Sequence, residues 1–193
     1  MSVDPGTQLQ AGDALLIVDV QNDFLPGGSL AVPDGGAVLE PLNRWIARFT
    51  TAGLPVVATR DWHTPDHCSF AAQGGPWPPH CVAGSDGARF PAALKLPADT
   101  PVISKATQQG ADAYSGFDGT DLDAYFTGLA VRRLFIGGLA TDVCVLNTVR
   151  DALALGYAVE LLLDGMRAVD VQPGDGERAI AAMIAAGAAP REG

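Results

Sequence analysis

The apolar positions of this chain follow two rhythms that alternate from end to end. Ala14-Leu15-Leu16-Ile17-Val18-Asp19-Val20 is an almost unbroken apolar run, the mark of a strand covered on both faces in a parallel sheet. Over 36–52 the spacing changes: Val38, Leu39, Leu42, Trp45, Ile46 and Phe49 recur at steps of three and four. That predicts an amphipathic helix, stopped by Gly53. Strand rhythm returns over 55–59 and, briefly, 101–104. A helix is predicted over 121–130, a strand over 133–138, and a helix over 141–155 closed by Gly156. A strand over 157–163 and a last amphipathic helix over 175–186, ended by Gly187, complete the pattern. Such alternation predicts an α/β fold: a three-layer αβα sandwich around a mostly parallel, Rossmann-like sheet of roughly six strands. Two stretches break it, 60–100 and 106–119. Long irregular segments in a compact domain are usually functional. Both begin just after a strand, at the sheet edge where open α/β folds bind ligands.

Composition narrows the function. A length of 193 residues suits one domain, here read as 1–193 with a loop insertion at about 61–100, although two small domains would also fit. With 48% apolar and 18% charged residues the chain is not a disordered one. Acidic side chains outnumber basic ones 22 to 12, a formal charge of −10, so nothing draws the surface to nucleic acid or anionic lipid. No apolar stretch has membrane-spanning length, and the first twelve residues lack the basic-then-apolar order of a secretory leader. Three cysteines, at 68, 81 and 144, are too few and too odd for a disulfide framework and point to a reducing compartment, the cytoplasm. Oligomeric state is not legible.

All three histidines, His63, His67 and His80, fall in one short stretch behind Asp61. Imidazoles beside a carboxylate form a ligand set for one divalent ion, zinc foremost, with iron or manganese also suited. Asp61 and His63 are two apart, so an extended backbone points both the same way, and the Gly/Pro-rich loop can bring His80 back to them. The same residues would also fit a polar surface loop, or a structural zinc module recruiting Cys68 and Cys81, although its ligand spacing would be irregular. Cys144 follows Gly137-Gly138-Leu139-Ala140-Thr141-Asp142-Val143, where a strand opens into a helix. Free N–H groups there depress a thiol's pKa and can hold an oxyanion; a buried structural cysteine is the plain alternative. Asp19, ending a buried strand, is costly to bury alone unless it is simply a cap. Lys105 follows directly on another strand, in a chain with only two lysines, and would otherwise be solvent-exposed. Asp, Lys and Cys at three strand ends form a coherent base, cation and nucleophile.

Together, Asp19-Val20-Gln21-Asn22-Asp23-Phe24, Asp61-Trp62-His63, Trp77-Pro78-Pro79-His80-Cys81, Lys105, Ala113-Tyr114-Ser115-Gly116-Phe117 and Gly138-Leu139-Ala140-Thr141-Asp142-Val143-Cys144-Val145 resemble the nicotinamidases of the isochorismatase-like hydrolase superfamily, in the right order over nearly the whole chain. The resemblance implies the αβα sandwich and an Asp19–Lys105–Cys144 triad. It implies a divalent metal on Asp61, His63 and His80, a cis peptide at Leu139–Ala140, and an oxyanion hole from the Ala140 and Cys144 N–H groups. It further implies hydrolysis of nicotinamide to nicotinic acid and ammonia through a cysteine thioester, in NAD salvage, with pyrazinamide-type analogues also accepted. Phe24, Trp77 and Tyr114 would grip the ring, unless they are core packing. Some relatives place a metal-contacting histidine near His67, making it a further candidate ligand. Some also carry histidine before the nucleophile, where this chain has Val143. The nearest rivals are amide, carbamoyl or enol-ether hydrolases of the same superfamily; members acting on isochorismate or carbamoyl compounds generally lack the metal triplet.

Overall fold

A computed structural model describes residues 8–192; the start of the stretch read above for a leader, positions 1–7, lies outside the described residues. Six strands form one sheet in the order β3-β2-β1-β4-β5-β6, with β1 Asp13–Val18, β2 Val56–Asp61, β3 Val102–Lys105, β4 Arg133–Leu139, β5 Ala158–Arg167 and β6 Ala189–Arg191. Every pairing is parallel, so the sheet is wholly rather than mostly parallel.

The unbroken apolar runs are explained by what covers them. Alternate residues of β1 enter two separate cores: Leu15 and Ile17 one, Ala14, Leu16 and Val18 the other. The first core is closed by α1 (Leu39–Thr51), which contributes Leu42, Trp45, Ile46 and Phe49. The second is closed by α2 (Leu122–Gly128), α3 (Leu146–Ala154) and α4 (Asp175–Ala185), through Leu122, Phe126, Val149, Ala152 and Met183. These are the three layers.

The boundaries shift where a local conformation intervenes. The strand expected to reach Val20 ends at Val18, because Asp19 takes a left-handed φ of 48° that breaks extended pairing. The helix expected from 36 opens as a tighter 3₁₀ turn, Gly35–Val38, before α1. The sixth strand falls in no predicted segment. It is three residues long and contains Pro190, which the sheet tolerates at an edge, where no ladder donor is required.

The chain builds β1, β2 and β3 outward on one side, then crosses to β4 on the other. The crevice where strand order reverses, beyond the carboxyl ends of β1 and β4, is where such sheets bind ligands. Gly138 is needed at that point. Its φ is +132°, and a Cβ would lie 2.0 Å from the Val18 carbonyl oxygen, so any other residue would push β1 and β4 apart.

Candidate active site

The carboxyl ends of four neighbouring strands converge on one buried polar cluster. Asp19 leaves β1, Asp61 and Lys105 are the last residues of β2 and β3 and lie side by side in register, and Cys144 sits in the wide helical turn Thr141–Val145 between β4 and α3. Lys105, only 1% exposed, is the hub. Its Nζ lies 2.9 Å from Asp19 Oδ2, 2.5 Å from Asp61 Oδ1 and 3.5 Å from Cys144 Sγ, and it donates to the Ala113 carbonyl at 3.2 Å. The Thr59 hydroxyl donates to Asp19 Oδ1 at 2.7 Å. Asp19, Asp61 and Cys144 place ligand atoms within 4.8 Å of one another. The sequence expectation put Lys105 after its strand; it is the strand's final residue, turned inward rather than solvated. The Leu139–Ala140 peptide is cis, and Ala140 and Cys144 both face the cavity described below.

Two carboxylates around one ammonium set the proton positions. Burial raises the Asp19 carboxyl to about 6, with Lys105 opposing and Asp61 adding to the rise. Burial also pushes Asp61 upward, but the Lys105 ammonium bonded to it outweighs burial and holds that carboxyl below its ordinary value. Burial alone would lower Lys105; Asp19 and Asp61 reverse this, and the side chain stays an ammonium. The Cys144 thiol is raised well above its ordinary value, by burial first and then by the two carboxylates, with Lys105 pulling the other way. This corrects the expectation of a thiol depressed at a helix opening. Complete burial beside two carboxylates outweighs the helix N–H groups, so the resting nucleophile is a protonated thiol, its sulfur 3.5 Å from the Lys105 ammonium.

The other candidates line the next wall. His63 Nδ1 bonds the His80 carbonyl at 2.9 Å, and His80 Nδ1 bonds the Pro78 carbonyl at 2.8 Å. A carbonyl can only accept, so each Nδ1 carries a proton, which in the neutral ring leaves the lone pair on Nε2, the state in which imidazole binds metal. Burial lowers the pKa of His63, which keeps it neutral. Asp61, His63 and His80, all buried, present ligand atoms within 4.8 Å of one another. The site also holds two carboxylates against a single fixed cation, Lys105, an excess of buried negative charge that a divalent ion would offset. The residues therefore fit such an ion. His67 is engaged differently: Nδ1 lies 2.7 Å from the Ser69 hydroxyl and Nε2 3.2 Å from the Ala111 carbonyl, while its ring lies against His63 at 4.4 Å. It also lies within reach of His63 and Asp112 as an alternative ligand group.

The long loop returns His80 by docking on the segment after β1. Asn22 N–H bonds the Arg89 carbonyl at 2.9 Å and Asp23 N–H the Gly87 carbonyl at 3.0 Å. Asp23 Oδ2 accepts the Cys81 N–H at 2.7 Å. Gly87 must be glycine, since a Cβ would overlap the Asp23 carboxylate. Gln21 carries no evident chemistry in the sequence. Its buried amide accepts the Asp61 N–H and donates to the Asp61 and Ala88 carbonyls, each at 2.8–3.0 Å, thereby fixing the end of β2. A glutamine ending a strand run was the available signal; for Thr59 there was none.

A cavity with about 420 Å³ of empty space, part of it open to solvent, lies over both groups. Phe24, Trp77 and Tyr114 line it, as do Asp61, His63, His80, Ala140 and Cys144, and Trp77 Nε1 donates to the Tyr114 hydroxyl at 3.2 Å. Leu30, Ser69, Asp112, Val143 and Val169 complete the wall. Leu30, Asp112 and Val169 had no signal in the sequence, because each depends on how loops fold over the crevice.

Comparison with known proteins agrees with this geometry. The isochorismatase domain model matches residues 13–192. The chain belongs to the isochorismatase family. This member is 41% identical over 196 residues to the nicotinamidase of Escherichia coli, covering 91% of this chain and 92% of that one. Its fold superposes on the pyrazinamidase of Pyrococcus horikoshii in complex with zinc at a TM-score of 0.90, with 44% identity over 94% of this chain and 99% of the other. PnC1 from L. infantum in complex with nicotinate gives a TM-score of 0.86 and 40% identity, over 94% and 93% of the two chains. Among the described residues no helix is long and apolar enough to cross a membrane.

Proposed function

We propose that this protein is a nicotinamidase: an amidohydrolase converting nicotinamide to nicotinic acid and ammonia through a thioester on Cys144, in cytoplasmic NAD salvage, with pyrazinamide-type amides as further substrates. One domain would carry the whole site, with 61–100 as its metal-binding insertion. The observation that carries the reading is the meeting, at one cavity, of the Cys144 thiol, backed by Lys105 and Asp19, and an Asp-His-His set within 4.8 Å, with three aromatic side chains in the same wall. Relatives of known activity support the same substrate, since the E. coli protein is a nicotinamidase and the L. infantum structure holds nicotinate.

Phe24, Trp77 and Tyr114 hold the flat ring by apolar area and stacking. Asp61, His63 and His80 would hold a divalent ion, zinc foremost, which when bound supplies a Lewis-acid anchor for the pyridine nitrogen. Asp19 takes the Cys144 proton as sulfur bonds to the amide carbon, and Lys105 steadies the charges. The oxyanion is placed at the Ala140 and Cys144 N–H groups. Asp19 returns its proton to the departing nitrogen as the C–N bond breaks, releasing ammonia. A water molecule then gives a proton to Asp19 while attacking the thioester; cleavage of the C–S bond frees nicotinic acid, and the proton passes back to sulfur.

The test is ammonia release from nicotinamide by purified protein, with and without a chelator. Release should be lost on chelation and restored by zinc. Asp61→Ala, His63→Ala and His80→Ala should each lower bound metal and raise KM about tenfold or more, and His67→Ala should do less. Metal-replete protein that releases no ammonia from nicotinamide would rule out the substrate. If His67→Ala strips the metal while His80→Ala retains it, the ligand assignment is wrong.

A further inference from the structure

We propose that Asp142 is a positioning residue that ties the turn carrying Cys144 to the segment carrying Val169, and so sets the distance between the nucleophile and one wall of the substrate pocket. The inference deepens the nicotinamidase reading, and its kinetic arm rests on that reading.

The two oxygens of the Asp142 carboxylate accept consecutive backbone N–H groups: Oδ1 from Val169 at 2.9 Å and Oδ2 from Asp170 at 2.9 Å. Successive amides in an ordinary strand point in opposite directions. Here Asp170 adopts a left-handed φ of 52°, and the two N–H groups converge into an anion-binding concavity filled by a side chain of the same protein. A non-glycine residue keeps such a conformation only where its surroundings over-determine it, and segment 168–170 is clasped from the far side as well. Asp170 Oδ1 accepts the Gly176 N–H at 2.8 Å, in the first turn of α4. Gly176 packs so closely on Ala168 that a Cβ there would lie 2.6 Å from the Ala168 Cβ. The segment is thus gripped between the nucleophile turn and α4.

The segment's inward product is Val169, which packs on the core around β1 and lines the cavity with Leu30. On the other side of the clasp, Val143 and Cys144 follow Asp142 directly and line the same cavity. Wall and nucleophile therefore share one carboxylate. A flat ring in an apolar slot is held by the area its walls cover, so a wall that moves away gives up part of that binding. Among the described residues the Asp142 carboxylate is held by the Val169 and Asp170 N–H groups and not by Asp19, Lys105 or the metal ligands, so loosening it acts on the wall and leaves the proton chemistry in place. Contacts between wall and ring are made equally in the ground and transition states, and losing them raises KM rather than lowering kcat.

The experiment is a double-mutant cycle of Asp142→Ala with Val169→Ala, with nicotinamide as the probe. Each single variant should raise KM about tenfold while changing kcat less than about threefold, with the acid limb of kcat/KM unmoved. The double variant should be no worse than Asp142→Ala alone, because a released wall has nothing left to lose. Asp142→Asn keeps one acceptor oxygen and should fall between, and it replaces the alanine in the cycle if that variant does not fold. KM increases that multiply, or a fall in kcat at unchanged KM, would show Asp142 to be only structural. Amide hydrogen exchange tests the clasp whatever the substrate. Exchange at 169 and 170 should be faster in the Asp142 variant than in wild type, and unchanged exchange there overturns the proposal. A wild type inactive on nicotinamide but with accelerated exchange in the variant would refute the assigned substrate and leave the clasp standing.

Discussion

Cys144→Ala should abolish ammonia release from nicotinamide, a loss on the order of 10⁴–10⁶ in kcat, in a protein that remains folded and loaded with metal. Cys144→Ser should do almost as badly. Its hydroxyl has the right shape but a higher pKa than a thiol, and Asp19, at about 6, is too weak a base to take its proton. Cys68→Ala and Cys81→Ala should retain most activity, since neither lies in the cluster around Lys105. Cys81 is buried behind the cavity wall and does not line it, and burial near Asp61, Asp19 and Asp23 raises its thiol pKa, so it is a poor nucleophile closed off from the substrate. The raised Cys144 pKa adds a sharper expectation. Alkylation of the resting enzyme by iodoacetamide should be slow at neutral pH and quicken as pH rises, whereas a preformed thiolate would react at a rate nearly independent of pH. Near-normal turnover by Cys144→Ala would end the thioester mechanism, and flat alkylation kinetics would end the neutral-thiol description of the resting state.

How much of this was legible in the chain depends on whether a feature is local. The unbroken apolar run of β1 and the three-and-four spacing of α1 are set by a few neighbouring residues, and both elements stand where expected within two or three positions. The grouping of Asp61, His63 and His80 was legible because a scarce residue type was concentrated in one loop. Features created by contact between distant segments were not. Thr59 meets Asp19 across 40 positions, and Val169 joins the pocket wall through a carboxylate 27 positions away. β6 has three residues and a proline, too little for any period to show. The state of the Cys144 thiol was misjudged for the same reason. Its local setting, a helix opening, argues for thiolate, but the burial and the two carboxylates that reverse the sign arrive from β1 and β2.

Asp19→Asn should lower kcat/KM by several orders of magnitude, on the order of 10³–10⁵. The amide fills the same space and can still receive the Thr59 hydroxyl bond seen at 2.7 Å, but it cannot accept the thiol proton. In the wild type, Asp19 must be ionised to act, so the acid limb of kcat/KM should lie near the raised value of about 6 rather than in the ordinary carboxylate range. Lys105→Met keeps much of the aliphatic stem and removes the charge. Lys105 is the largest influence holding Asp19 down, so its loss should drive that carboxyl further up and move the acid limb to higher pH. It also leaves Asp19 and Asp61 without their ammonium, and breaking a buried pair of this kind typically costs about 3–5 kcal/mol of stability. The double variant Asp19→Asn/Lys105→Met removes a carboxylate together with the cation and should be more stable at pH 7 than Lys105→Met alone. Its kcat/KM should be little worse than the more damaging single variant, because groups that move one proton as a unit fail together. Losses that multiply would show two residues acting separately near a cysteine. A Lys105→Met acid limb left in place would show that the ammonium 2.9 Å from Asp19 does not govern when that base is charged.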